Sequence, residues 1–242
     1  MESDKILQIA EASEIRKYQW NNRGLAPAGY IKGMAAVYAR VYCKLKAKFP
    51  EALEMAKPLE DPGRDALAWF FQEFSEVGLD KLDTPNDRLR YLFVLLIGLG
   101  MRESSGRYCE GRDRSVFNTR SETAEAGLFQ TSFNAHLASD LMLQLFNFYK
   151  GKTDFLEIFR EGVFPKPSDL ENYGSGDGFE FQKLSKECPG FAVEFTAVGL
   201  RNIRRHWGPI NRMEAEIRPE CDEMLQKVQF EIDVHDLCPF LI

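Results

Sequence analysis

The sequence predicts a mainly α fold, and three observations carry that expectation. Apolar residues recur at three-to-four spacing in most segments. Few segments alternate with period two, so strands are minor at most. Proline, threonine, asparagine and aspartate precede several of the periodic runs, and glycine follows them. At 242 residues and 44% hydrophobic composition, the chain can bury one large core, or one domain with a small satellite.

The elements follow in order. "GMAAVYARVYCKLKAKF" (33–49) places Ala, Val, Tyr and Leu at helical spacing, with lysines gathering toward its C-terminal end, where they suit the helix dipole. "GRDALAWFFQEFSEVG" (63–78) reads as one amphipathic helix ending at glycine. Asn86 and Asp87 can cap the next helix, which runs through the apolar stretch "YLFVLLIGLGM" (91–101) toward Glu103. That stretch is about half the ~20 residues a membrane span requires, and Arg88, Arg90 and Arg102 flank it, so it reads as a buried core helix.

"NAHLASDLMLQLFNFYKG" (134–151) is a strong amphipathic pattern with a glycine stop, and "TDFLEIFREG" (153–162) repeats it with Thr153 as cap. "PGFAVEFTAVGLRNIRRHWG" (189–208) opens on proline and closes on glycine. "NRME" (211–214) has the form of a capping box. Loops fall at 20–32, 104–132 and 163–178. The last is rich in Pro and Gly and is a candidate substrate-facing loop. Residues 1–85 form an N-terminal helical region packed on the core, and 86–242 the main domain, the two reading as one compact unit.

The net charge of -6 argues against a nucleic-acid binder and against adhesion to an anionic membrane. No repeat of solenoid length occurs. The N-terminal twenty residues carry early acids and no signal-peptide core, pointing to a cytoplasmic chain or one whose leader has been removed. The cysteines at 43, 109, 188, 221 and 238 are scattered without a C-x-x-C pair, and the three histidines form no ligand-spaced pair. No metal site and no cofactor are expected. Spacing leaves one or two disulfides open, with free, buried cysteines the favoured reading.

One segment concentrates chemistry: 103–132, "ESSGRYCEGRDRSVFNTRSETAEAGLFQTS". It opens on Glu103 at the end of the apolar run and continues through a polar loop holding Glu110, Asp113, Glu122 and Glu125. Its "Glu103-Ser104-Ser105" and "Gly127-Leu128-Phe129-Gln130" elements resemble the catalytic glutamate-serine pair and the downstream "GLMQ" motif of goose-type lysozymes and soluble lytic transglycosylases, with Phe in place of Met. "FTAVGLRNIRRHWG" (195–208) is similar to the "AYNAG" helix of lytic transglycosylases, although the tyrosine expected there is replaced by Phe195 or Thr196. The similarity covers roughly 100 residues, and residues 1–85 lie outside it.

The resemblance implies a lysozyme-like helical domain that cleaves β-1,4 linkages in peptidoglycan, outside the cytoplasm, with Glu103 as the general acid. Ser104, Gln130, Ser132 and Tyr173 are the candidate substrate contacts. In goose-type lysozymes one aspartate precedes "GLMQ" and another follows it. The later position is Ser132 here, which leaves Glu122, and next Glu125, as the second carboxylate. Hydrolysis and transglycosylation both stay open, as do chitin or chitosan as substrate and a catalytically silent glycan-binding domain.

The residues themselves support an acid. A carboxyl that donates a proton near neutral pH needs its pKa raised well above ~4.3, and burial against apolar side chains does this. The negative end of the helix dipole adds to the effect, whereas Arg102 opposes it if its side chain turns inward. A solvated helix end is the plain alternative for Glu103, and solvated loop charges for Glu122 and Glu125. Trp69 and Trp207 read as core, and Arg204, Arg205 and His206 as a helix C-terminal charge cluster.

Overall fold

The computed structural model describes residues 2–112 and 120–238. The protein is mainly helical, with one two-stranded hairpin among the described residues. Helix α1 (Glu2–Glu11) is followed by a 3-10 turn (Glu14–Lys17) and the antiparallel strands β1 (Gln19–Trp20) and β2 (Gly24–Leu25). Helices α2 (Ala28–Lys46), α3 (Pro50–Met55), α4 (Ala66–Trp69), α5 (Phe71–Glu76) and α6 (Pro85–Ser104) come next. After the loop that begins at Ser105 come α7 (Asp140–Tyr149), α8 (Leu156–Phe159), α9 (Pro167–Leu170), α10 (Gly176–Glu187), α11 (Pro189–Leu200), α12 (Gly208–Asn211) and α13 (Pro219–His235).

Helix α6 is the spine. Every residue from Leu89 to Met101 is buried, and its neighbours include α2, α11 and α13. Helix α2, from the N-terminal region, also packs against α1, α8 and α13, so one apolar cluster runs from Ile6 to Leu237. Among the described residues no helix is long and apolar enough to cross a membrane.

Several boundaries differ from the periodicity reading, each for a local reason. Thr84, not Asn86 or Asp87, caps α6: its hydroxyl accepts from the Asp87 N–H at 3.1 Å, and Asp87 returns a bond to the Thr84 N–H. Pro85 takes the first helical position, which places the cap two residues before Asn86. The 63–78 segment becomes helical only at Ala66, where buried Asp65 caps α4 through the Leu67 N–H and pairs with Arg201 at 3.0 Å, and it divides into α4 and α5 at Phe70, whose backbone (φ -90°, ψ 9°) leaves the helical region. Ser139 caps α7 and separates it from a 3-10 stretch at Phe133–Ala138. Thr153 does not cap α8; its carbonyl accepts from Leu156, and Phe155 takes a left-handed conformation. Asn211 ends α12 rather than starting a helix, so no capping box forms at 211–214, and Glu214 instead receives Arg212. Helix α11 stops at Leu200, and Arg204–His206 form a 3-10 turn with Arg204 stacked on Trp69.

One pair of cysteines is joined: Cys43 and Cys238 form a disulfide, while Cys109, Cys188 and Cys221 are free and buried. A polar knot braces α2 against α11. Glu194, fully buried, accepts from Arg40 at 2.9 Å, Lys44 at 2.7 Å and Tyr149 at 3.0 Å. Removing one member leaves buried charge uncompensated, which costs about 3–5 kcal/mol. Glu194→Ala should therefore lower the stability measured by urea denaturation by about that amount, and an unchanged midpoint would contradict this role for the knot.

Candidate active site

Glu103 lies in the last turn of α6, where the buried helix reaches the surface. Ser105 and Gly106 end the helix in left-handed conformations (φ 56° and 73°), and the Gly106 N–H bonds back to the Gly100 carbonyl at 3.1 Å. Buried Tyr30 fixes the turn beneath, donating to the Ile97 carbonyl at 2.7 Å. A Cβ at Gly100 would sit 2.4 Å from the Tyr30 hydroxyl, so the small residue there lets the two helices approach.

The "AGLFQT" segment is a tight turn closed by an antiparallel bridge between Ala126 and Thr131. Gly127 has φ +74°, and a Cβ on it would lie 2.8 Å from the Ser185 carbonyl oxygen, so glycine is required twice over. Ser104 fastens this turn to α6. Its hydroxyl is buried and lies 2.8 Å from the Leu128 carbonyl and 3.0 Å from that of Gly100. The helix end and the turn thus form two adjoining walls of one cleft of about 520 Å³.

Glu103, Glu110, Arg112, Glu125, Gln130 and Asp169 line that cleft, with Gly111 and Ser168. Burial first, and then the negative charge of Glu125, push the Glu103 carboxyl up to about 8, against the pull of Arg212 and Arg23. Arg102 turns away to Glu214, at 3.2 Å, and so does not offset the burial of Glu103. Glu110 is also raised by burial; Arg107 lowers it and Asp169 raises it. Arg107 binds Glu110 at 3.2 Å and also pairs with Asp169, joining the loop after α6 to α9.

The sequence-derived candidates separate. Glu103, Glu125 and Gln130 meet in the cleft; the Gln130 amide donates to the Gly127 carbonyl at 3.1 Å. Glu122 is exposed on a 3-10 turn (Ser121–Thr123) and is not among the residues lining the cleft. Ser104 and Ser132 face inward. The Ser132 hydroxyl bonds Asn134 at 2.8 Å, and its N–H donates to His206 Nε2 at 3.4 Å. Burial lowers the His206 imidazole to about 4, so it stays neutral and can accept that bond. Tyr173 reaches the site indirectly: Arg112 lies over its ring at 4.2 Å, and its backbone is pinned by Gln182. Asp113 lies outside the described residues.

Where the third motif expects a tyrosine, Phe195 is buried against Phe181 and Phe191, and Thr196 meets Thr131 at 3.2 Å. Trp207 is core, donating to the Thr131 hydroxyl, whereas Trp69 is partly buried under Arg204. The residues that sequence reasoning missed are Arg112, Ser168 and Asp169. Ser168 and Asp169 lie in the Pro- and Gly-rich 163–178 loop, which α9 folds onto the cleft, and Arg112 lies in the 103–132 segment, where the acids alone drew notice. The described residues contain no cluster of His, Cys, Asp or Glu arranged to hold a metal. Comparison with family models, curated proteins and solved structures finds no match for this chain.

Proposed function

We propose that the chain is a glycoside-bond-cleaving enzyme, of the lysozyme or lytic transglycosylase kind, acting on the β-1,4 linkage of peptidoglycan. One observation carries the reading: an acid held protonated to about pH 8 opens into a polar cleft beside a hydrogen-bonding turn. Glu103 gives its proton to the glycosidic oxygen as the bond to the anomeric carbon breaks. The amide nitrogen of Gln130 is held by the Gly127 and Glu110 carbonyls, which leaves its oxygen to accept from a sugar hydroxyl or acetamido N–H. Glu125 is the second carboxylate, and its negative charge faces the positive charge that develops on the ring.

In hydrolysis Glu125 takes a proton from the attacking water, giving a reducing end. In transglycosylation the sugar's own 6-hydroxyl attacks, assisted by Glu103, giving a 1,6-anhydro end. The Cys43–Cys238 bridge supports an extracytoplasmic setting, since disulfides persist where the medium is oxidising. The additional carboxylates Glu110 and Asp169 favour chitosan-type amino sugars as a second reading.

Mass spectrometry of purified peptidoglycan after digestion tests the proposal. New reducing or anhydro ends are expected. Intact glycan at every pH, together with binding to it, would leave the silent binding domain as the reading. Turnover of chito-oligosaccharides alone would move the substrate to the second class.

A further inference from the structure

A second pocket of about 360 Å³ lies on the far side of the wall formed by α9 and the residues after it. Ser168 and Asp169 face the cleft, whereas Leu170 and Asn172 face this pocket. Its volume falls at the lower end of small-molecule sites, ~300–1,000 Å³. Apolar side chains, including Leu156 and Val163, form part of its wall. Arg160, Lys183 and Lys186 bring three cations to it, of which Arg160 is paired with Glu157 at 2.6 Å, and Glu187 adds one exposed carboxylate.

Lys186 is the unusual member. It is 3% exposed, yet no carboxylate of the described residues lies within ion-pair distance of its ammonium. Nζ donates to the backbone carbonyls of Asp169 at 3.1 Å and Glu171 at 2.6 Å. An ammonium has three donors, so one remains. Buried charges are normally paired, because dipoles alone do not repay desolvation. In keeping with this, burial lowers the lysine to about 8. Independently, Asn172 lines the same pocket, and its Oδ1, enclosed by protein, has no hydrogen-bond donor among the described residues.

We propose that this pocket binds the carboxylate end of a short peptide. The buried Lys186 ammonium and the exposed Lys183 take the carboxylate, rotation of the Asn172 amide presents its oxygen to a peptide N–H, and the apolar wall holds a small side chain. Recognition by charge-assisted hydrogen bonds requires the anion, so masking it should remove most of the affinity. The site goes beyond the glycosidase reading and does not depend on it, because binding is read without turnover.

The test is calorimetric titration of the intact protein with acetyl-alanyl-alanine and with the same dipeptide as its C-terminal amide. The free acid should bind, and the amide should bind about tenfold more weakly or worse. Lys186→Met should weaken the free acid to the level of the amide, while Glu103→Gln, in the other cleft, should leave its affinity unchanged. Should Lys186→Met fail to fold, Lys183→Gln, at an exposed position, decides by a several-fold loss of affinity for the free acid alone. Equal affinity for acid and amide, no binding at millimolar peptide, or undiminished binding in the folded lysine variants would overturn the proposal.

Discussion

Glu103→Gln is expected to slow glycan cleavage by about 10²–10⁴-fold, the usual contribution of a general acid, with the fold intact. The wild-type rate should fall as pH rises past about 8, where Glu103 loses its proton. The same shift has a stability consequence whose sign is fixed. The folded-state pKa is raised above the ordinary glutamate value of 4.5, so the native state keeps a proton that the unfolded chain gives up. The contribution of Glu103 to stability is therefore undiminished below pH 4.5 and declines as pH rises toward 8, at no more than ~1.4 kcal/mol per pH unit. Glutamine carries no such charge. Melting curves at pH 5 and pH 8 should show the variant gaining on the wild type at the higher pH. Undiminished cleavage in the variant would remove Glu103 from the mechanism.

Glu125→Gln is expected to move the alkaline limb of the pH–rate profile to lower pH. The negative neighbour that raises Glu103 disappears, while Arg212 and Arg23 still lower it. The size of the rate loss depends on the product. If digestion yields reducing ends, Glu125 activates water and its loss costs about 10²–10⁴-fold. If it yields 1,6-anhydro ends, the limb moves and the rate on the acidic side is nearly kept. Glu122→Gln, on its exposed turn, should match the wild type in both readouts. A Glu125→Gln variant with the wild-type rate and limb would show that the two carboxylates do not act together.

The helical class was legible because a period of 3.6 survives in single segments, as in 33–49 and 91–101. Glu103 was legible for a related reason: a carboxylate where an apolar run stops is visible without knowing the fold. What could not be read depended on direction or distance. Glu122 and Glu125 are three residues apart, and only the 3-10 turn decides that the second faces the cleft. Ser104 and Ser132 look like polar cleft residues, but each turns inward to satisfy a buried partner, a need that arises only after packing. Asp169 stands some sixty residues from the motif it joins through Arg107, so no local pattern could announce it.

The Cys43–Cys238 bond has a consequence for the chain as a polymer. It closes the chain from Cys43 to Cys238 into a covalent ring, with both candidate sites inside it. A loop closed over a separation of 195 residues restricts the unfolded ensemble by about 5 kcal/mol in the chain-entropy account. That restriction supplements packing and vanishes on reduction. A backbone cut in the exposed stretch near Phe164 would open the ring to a linear chain, with the two fragments still held together by sulfur. The durability of the acid's setting is thus partly a property of the redox medium and of chain topology, not of the cleft alone.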